Sequence, residues 1–336
     1  MPRVAIIGAG AAGLMAAATI LEIDPTIEIF LMEKNNGLGK KVLISGGGRC
    51  NVTTSMQDVK TVLRMYPRGG RFLSSAMYQF SPEMVYNWFE AHGVPLKTEE
   101  DLRVFPQSNN GKDIVAVFEE LFQHPSIHVL LNTHVTSIVK APKGFAIQTK
   151  EANDVRHVDR VVLTTGGQAY RHTGSTGDGY AFACSLGHTL TPLAPSLNAF
   201  YTEESWPHAL SGLSFETVTL TTSRPKTIKI TGPFLFTHKG LSGPAVFALS
   251  SHVAFETYDP THPLTISIDL FPTEKAEVLI KDLQTIFTAQ GRKALLTVLS
   301  QRVPKSLAQV VCEQVDLASD KHAAGVSKQD IQRIVA

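Results

Sequence analysis

The sequence predicts an α/β fold in two parts: a βαβ-led part that runs into a β-meander, and an inserted part that is first β and then helical. Three observations lead to it. The chain opens with a β-branched run, Val4 to Ile7, that stops at Gly8 and is followed by an alanine-rich helical stretch and a second apolar run, Glu28 to Met32. Past Thr191 the composition shifts to alternating Thr- and Ser-rich stretches, and past Pro272 the apolar period becomes helical. The 336 residues argue for two domains, or for one domain carrying a large insertion.

The first element is a strand, and Gly8, Gly10 and Gly13 after it fall in the G-x-G-x-x-G positions. Gly8 serves a tight turn, Gly10 lets a pyrophosphate approach the backbone, and Gly13 lets helix and strand pack closely. The helix N-terminus adds amide donors and the positive end of its dipole. Glu33 closes the second strand, 20 positions after the last glycine, placed to accept from ribose hydroxyls. This combination predicts a dinucleotide-binding, Rossmann-like unit. The next segment, Lys34 to Asn51, holds three consecutive glycines, Gly46 to Gly48, and four cations, Lys34, Lys40, Lys41 and Arg49. Ser45, Arg49 and Asn51 cluster as donors beside the glycines, a loop suited to a flat or phosphorylated ligand.

From Arg71 to Phe122 the pattern is helical, with Met84, Val85, Trp88 and Phe89 on one core face and Ile114, Val115, Phe118 and Leu121 on another. Ile127 to Val139, Gly144 to Thr149 and Arg160 to Thr164 read as consecutive strands of the meander. The second part brings strands at Val218 to Thr222, Thr227 to Thr231 and Leu264 to Leu270, then helical stripes through Leu283, Leu295 and Leu307. Ser327 and Asp330 make a capping-box-like helix start near the end. The domain boundaries follow as 1–190 and 191–336, the latter β-rich over 191–271 and helical over 272–336.

Composition narrows the function. Hydrophobic residues at 43% and charged residues at 18% describe a globular chain. The formal charge is 31 − 30 = +1 with no long basic run, which argues against a nucleic-acid partner and for a small-molecule substrate. Cys50, Cys184 and Cys312 are odd in number and far apart, as expected in a reducing, cytoplasmic setting. Val4 to Ile23 carries one charge, Glu22, but its strand, glycine turn, helix order argues against a signal peptide or span, so no membrane association is expected. No histidine pair stands at metal-ligand spacing beside carboxylates or thiols, and no metal is expected.

Three strings carry a resemblance to a known family: GAGAAGLMAA with LMEKNNGLGKKVLISGGGRCNVT, then TTGGQAYRHTGSTGDGYAFACSLGHTL, then LFTHKGLSGPAVFALS. The chain resembles the bacterial YhiN-like, BaiN-like or aminoacetone-oxidase family of FAD-dependent oxidoreductases, within the glutathione-reductase-like superfamily. The resemblance implies an extended FAD, its ADP half held by Gly8, Gly10, Gly13 and Glu33, with Ala9, Ala12 and Lys34 as further cofactor contacts. It adds Gly39, Lys40 and Lys41, and it places Ser45, Gly46, Gly47, Arg49, Cys50 and Asn51 near the isoalloxazine. Val135 matches a backbone position that meets the adenine. Thr165, Gly166 and Gly167 match the turn under the cofactor, and Gly177 and Asp178 lie in the matching GSTGDG segment, which also reads as a turn and helix cap. Family members continue for several tens of residues beyond the point matching Ala336, with a strand and glycine turn that complete the cofactor site. The resemblance therefore implies a completing segment that this sequence lacks, or one supplied by a second chain.

For catalysis the candidates are His238, Arg49 and Asn51. His238 follows an apolar strand and precedes a Gly-x-x-Gly-Pro turn, and histidine is the usual acid-base group near neutral pH. No second G-x-G-x-x-G opens a βαβ unit, so any NAD(P)H acts as a transient electron donor at the flavin face. The expected activity is hydride transfer between flavin N5 and a small or medium organic substrate, as an oxidase or as a reductase. Two alternatives stand beside it: a non-catalytic flavin-binding redox sensor, and a cofactor-deficient fragment of the enzyme. An RNA-modifying flavoenzyme is disfavoured by the absence of a basic surface signal.

Overall fold

The computed structural model describes residues 1–151, 155–223 and 226–336. They form two compact units, Met1–Pro192 and Leu193–Ala336.

The first unit begins β1 (Arg3–Ile7), α1 (Ala11–Ile23) and β2 (Glu28–Met32). Both strands are almost wholly buried, as strands of a parallel sheet covered on both faces must be. Leu14, Ala17 and Ala18 of α1 pack against them; the small alanines let the helix approach closely. There follow α2 (Lys40–Ile44), β3 (Thr53–Thr54), α3 (Val59–Arg64), α4 (Gly70–Gln79), α5 (Pro82–Ala91), β4 (Leu96–Thr98), β5 (Arg103–Pro106) and α6 (Gly111–Leu121). The unit closes with β6 (Ile127–Leu130), β7 (Val135–Lys140), β8 (Phe145–Thr149), β9 (Arg156–Val158), β10 (Arg160–Leu163) and α7 (Asp178–Ser185).

Four of these strands form a parallel sheet in the order β10-β1-β2-β6, and β3, β5 and β4 form a small antiparallel sheet beside it. The meander is narrower than the sequence pattern suggests. It consists of β7, β8 and β9 alone, because the run from Ile127 to Val139 breaks at Asn132, in the left-handed region at φ 52°, and β6 and β10 join the parallel sheet. Met84 is a second difference, at 46% exposed. The inward stripe of α5 runs through Pro82, Val85 and Phe89 at helical spacing, and Met84 falls one position off it.

In the second unit, β11 (Phe200–Tyr201), α8 (Trp206–Ala209), β12 (Ser214–Thr222), β13 (Ile228–Thr237) and β14 (Gly240–Ser242) precede α9 (Pro244–His252) and β15 (Ser267–Asp269). The strands form one antiparallel sheet ordered β11-β14-β13-β12-β15. Val246, Leu249 and Val253 from α9 and its cap pack with Val218, Leu220, Phe234 and Phe236 of that sheet. The chain ends in α10 (Ala276–Ala289), α11 (Leu295–Leu299), α12 (Lys305–Gln314) and α13 (Lys328–Val335), around Leu283, Phe287, Leu295, Val298 and Ile331. Ser327 and Asp330 form the reciprocal capping box that starts α13. No helix among the described residues is long and apolar enough to cross a membrane.

Candidate functional site

At the carboxyl ends of β1, β2 and β10, where open α/β sheets bind ligands, the first unit holds a cavity of about 1000 Å³. Its floor is the turn from β1 into α1. Gly8 adopts φ +102° and donates to the Met32 carbonyl at 2.8 Å; a Cβ there would stand 2.7 Å from the Thr164 carbonyl oxygen. A Cβ on Gly13 would stand 1.9 Å from the Gly8 oxygen, so helix and turn meet at backbone distance. Gly10 is the contrast: it caps α1 in an extended conformation, and nothing lies within 4 Å of where its Cβ would be. The first-turn amides of α1 are therefore open to the cavity that Gly10, Ala11 and Ala12 line.

Glu33 stands at the rim of the same turn and is 8% exposed. Its Oε2 accepts from the Ala9 amide at 2.8 Å, and its Oε1 accepts from the Asn35 amide at 2.9 Å and Asn35 Nδ2 at 2.6 Å. A carboxylate offers about four acceptor positions, so one on Oε2 is left for a ribose hydroxyl. Asn35 also donates to the Thr173 carbonyl, which ties the end of β2 to the loop before α7. Two lysines reinforce that tie. Lys34 Nζ reaches Asp178 Oδ2 and Thr176 Oγ1, each at 2.6 Å, and Lys41 Nζ donates to Ser175 Oγ at 2.6 Å. Partial burial works to raise the Asp178 carboxyl pKa, but the hydrogen bonds from Lys34 and Thr176 outweigh it and hold the group below the usual carboxylate range. Lys34 is thus neutralised by Asp178, while Lys40 and Lys41, with no carboxylate partner among the described residues, bring positive charge to the cavity wall.

The loop after α2 is wound by four left-handed residues, Gly46, Gly47, Gly48 and Cys50. Gly46 packs on Phe105, where a Cβ would stand 2.7 Å from the ring. Ser45, Cys50 and Asn51 line the cavity. Burial pushes the Cys50 thiol up, partly offset by a hydrogen bond with Ser45. Arg49 points away from that lining: its guanidinium lies 3.9 Å over the Phe105 ring, pairs with Glu99 and donates to the Gly46 carbonyl.

Of the residues singled out in the sequence, the cavity brings together Gly8, Ala9, Gly10, Ala12, Glu33, Lys34, Lys40, Lys41, Ser45, Cys50, Asn51, Val135, Thr165, Gly166 and Asp178. Gly13, Gly39, Gly46, Gly47, Arg49, Gly167 and Gly177 are not among the residues that line it. Gly39 donates to the Ala9 carbonyl at 2.9 Å, and Gly167 and Gly177 pack against Tyr180. His238 belongs to the second unit, exposed on the turn between β13 and β14. Sequence reading missed Asn35, Thr173, Ser175 and Thr176. The signal for Ser175 and Thr176 was their place in the GSTGDG segment already noted, Thr173 directly precedes that segment, and Asn35 had none beyond its nearness to Glu33. Among the described residues no group of three or more His, Cys, Asp or Glu could hold a metal ion.

These features fit a dinucleotide: an open glycine cradle at a helix N-terminus, a fixed carboxylate with an acceptor to spare, and two lysines at the wall. The model of the HI0933-like protein Rossmann domain matches residues 2–333. The 3-dehydro-bile acid delta(4,6)-reductase of Clostridium scindens is 29% identical over 287 residues, 85% of this chain and 68% of that protein. The ribosomal RNA dihydrouridine synthase of Haemophilus influenzae is 27% identical over 334 residues, 98% of this chain and 78% of that protein. Among solved structures, the open conformation of a flavocytochrome c3 fumarate reductase aligns with a TM-score of 0.46 at 21% identity, covering 64% of this chain and 47% of that one.

Proposed function

Because the chain belongs to the HI0933-like Rossmann family of FAD-dependent oxidoreductases, we propose that it is a reductase of a carbon–carbon double bond polarised by a carbonyl group, with FAD as cofactor and NAD(P)H as electron donor. The observation that carries the reductase reading is the chemistry shared by two relatives of unlike substrates. A delta(4,6)-reductase acting on a 3-dehydro bile acid and a dihydrouridine synthase both saturate a ring double bond conjugated to a carbonyl. When bound, the flavin supplies a hydride, drawn from reduced nicotinamide, to the carbon remote from the carbonyl, and a proton completes the neighbouring carbon.

The chain's own residues supply binding and orientation. The open amides of α1, with Lys40 and Lys41, are assigned to the pyrophosphate, and Glu33 to the ribose. Asn51, at the cavity end of the triglycine loop, is assigned to donate to the substrate carbonyl, which draws electron density from the double bond. We assign Arg49 a bracing role, since Glu99 and Phe105 occupy its guanidinium and fix the turn that carries Cys50 and Asn51.

The test is anaerobic. Purified chain loaded with FAD is bleached with NADH or NADPH and then offered a conjugated cyclic enone and its saturated ketone. Reoxidation by the enone alone supports the reading. Flavin that no nicotinamide reduces, or that oxygen reoxidises only after an amine has reduced it, overturns it in favour of the sensor or the oxidase.

A further inference from the structure

Saturating a double bond conjugated to a carbonyl takes a hydride at the remote carbon and a proton at the carbon beside the carbonyl, and that proton needs a source. Among the described residues that line the cavity, the titratable side chains divide into two sets. Glu33, Lys34, Lys41 and Asp178 are joined by hydrogen bonds to the loop before α7, and the charge of His134 acts on Asp178. Lys40 opens α2 next to Gly39, which donates to Ala9 of the glycine turn, and Tyr180 packs on Gly167 and Gly177. Of this lining, Cys50 alone stands apart from that polar side, next in sequence to Asn51.

The surroundings of Cys50 are apolar. It is 6% exposed and shares a buried cluster with Phe89, Ile114 and Phe118, which also line the cavity. Such a wall has no proton of its own to give. Burial pushes the thiol up, so it stays protonated at neutral pH despite its hydrogen bond with Ser45. A protonated thiol can give a proton and is a poor nucleophile, which matters beside an activated double bond that a thiolate would attack. The backbone holds the group in place: after three left-handed glycines Cys50 is itself left-handed at φ 63°, a conformation that residues with a Cβ adopt rarely. Its Cβ lies 3.3 Å from where a Cβ on Gly111, the first residue of α6, would stand. The positive end of that helix therefore lies beside Cys50 and favours the thiolate left by a proton transfer.

We propose that Cys50 is the proton donor of the reduction: with the substrate carbonyl held by Asn51, the thiol protonates the carbon next to that carbonyl. The proposal rests on the reductase reading and supplies the acid that the reading needs. Hydride arriving at the remote carbon, its two electrons drawn from NAD(P)H, pushes the π pair onto the carbonyl oxygen as an enolate. The enolate pair then takes the thiol proton. A C–H bond forms, the S–H bond breaks with its electron pair kept by sulfur, and the thiolate regains a proton from water. Successive residues suit the two tasks, because the carbonyl oxygen and the protonated carbon are two bonds apart and the Cα atoms of Cys50 and Asn51 about 3.8 Å apart.

The experiment uses the full FAD-loaded chain, reduced anaerobically by NADH or NADPH, and 2-methylcyclohexenone, in which protonation creates a stereocentre. Wild type is expected to give one enantiomer of the saturated ketone. Cys50→Ala slows reoxidation by the enone about 100- to 10,000-fold, the range for loss of a general acid, and the product that does form is racemic. Ferricyanide, which needs no proton on carbon, reoxidises the variant as fast as wild type. Cys50→Ser keeps the size and the bond to Ser45 yet stays slow, because a hydroxyl is a far weaker acid. Cys184→Ala, at an exposed thiol, keeps both rates and the single enantiomer. Two readouts need no turnover. In the oxidised enzyme, the infrared S–H stretch that Cys50→Ser lacks shifts when the saturated ketone binds, and mass spectrometry of the enone-treated chain finds no thioether on Cys50. Wild-type rate and stereochemistry in Cys50→Ala, an S–H band absent or unmoved by the ketone, or a thioether on Cys50 overturns the proposal and leaves the reductase reading standing. Equal slowing toward enone and ferricyanide with a lowered melting temperature makes Cys50 a structural residue and overturns it too. Reduced wild type that leaves the enone untouched overturns the reductase reading itself, and the assigned proton transfer with it.

Discussion

Replacing Gly10 by alanine separates cofactor binding from folding, and the adjacent Gly13 provides the comparison. At Gly13 the added methyl meets the Gly8 carbonyl oxygen at 1.9 Å and Thr164 Oγ1 at 2.8 Å. The first obstacle is backbone, so β1 and α1 must move apart. Overpacking of that kind costs about 3 kcal/mol or more. For a unit of this size, each kcal/mol lowers Tm by about 2–4 °C, giving a drop of about 6–12 °C. At Gly10 the methyl meets nothing within 4 Å, and φ is −79°, which alanine adopts freely. A weaker cap costs up to about 1 kcal/mol, and reduced freedom of the unfolded chain returns about 0.4–1 kcal/mol. Gly10→Ala should therefore melt within about 3 °C of wild type. In the proposed placement its methyl stands between the pyrophosphate and the α1 amides, and losing one hydrogen bond to a charged group, about 1.5–3 kcal/mol, weakens FAD binding about 10- to 150-fold. The assays are calorimetry of the apo chain and FAD titration by fluorescence quenching. Gly10→Ala binding FAD within twofold of wild type, with the fold intact, refutes the placement of the pyrophosphate; an unperturbed Tm in Gly13→Ala refutes the packing argument.

Three further outcomes are expected. Arg333, and then the Ser327 amide and hydroxyl, hold the Asp330 carboxyl far below its usual range. A carboxyl depressed in the folded state contributes fully above the ordinary carboxylate pKa and loses that contribution as the pH falls below it. Wild type should thus lose second-unit stability on acidification below about pH 4, while Asp330→Asn is less stable at neutral pH and flat through that window, as read by melts across a pH series. Cys184 is exposed, whereas burial pushes the Cys50 and Cys312 thiols up. One thiol should react rapidly with a maleimide in the native chain and three in the denatured one, and two fast native thiols would count against the buried position of Cys50. Glu99→Gln removes a half-exposed partner of Arg49. The loss of stability should stay below about 1 kcal/mol, while FAD dissociates faster as the triglycine loop relaxes, measured by flavin release on dilution.

Local patterns carried the glycine turn and the acid of the candidate site. Gly8, Gly10, Gly13 and Glu33 were legible because strand, turn, helix and strand are neighbours in sequence, and Gly8 and Gly13 answer steric demands inside that unit, whereas nothing stands within 4 Å of a Cβ at Gly10. The helical stripes were legible for the same reason, except at Met84, where a run of adjacent apolar residues left the inward face ambiguous. The strands after Ile127 were recognised as strands, but their partners were not. Alternation says that a segment is extended and does not say which edge accepts it, so β6 and β10 read as meander strands although they flank β1 and β2.

By itself the sequence determined the α/β class, the glycine cradle and the acid that closes β2. Tertiary structure decided the rest, because those features are made by residues far apart in the chain. Lys34 meets Asp178 across 144 positions and Lys41 meets Ser175 across 134, and Arg49 turns from the cavity toward Glu99 and Phe105. Periodicity reports how a segment treats its own neighbours, and only packing brings distant polar groups within hydrogen-bonding reach.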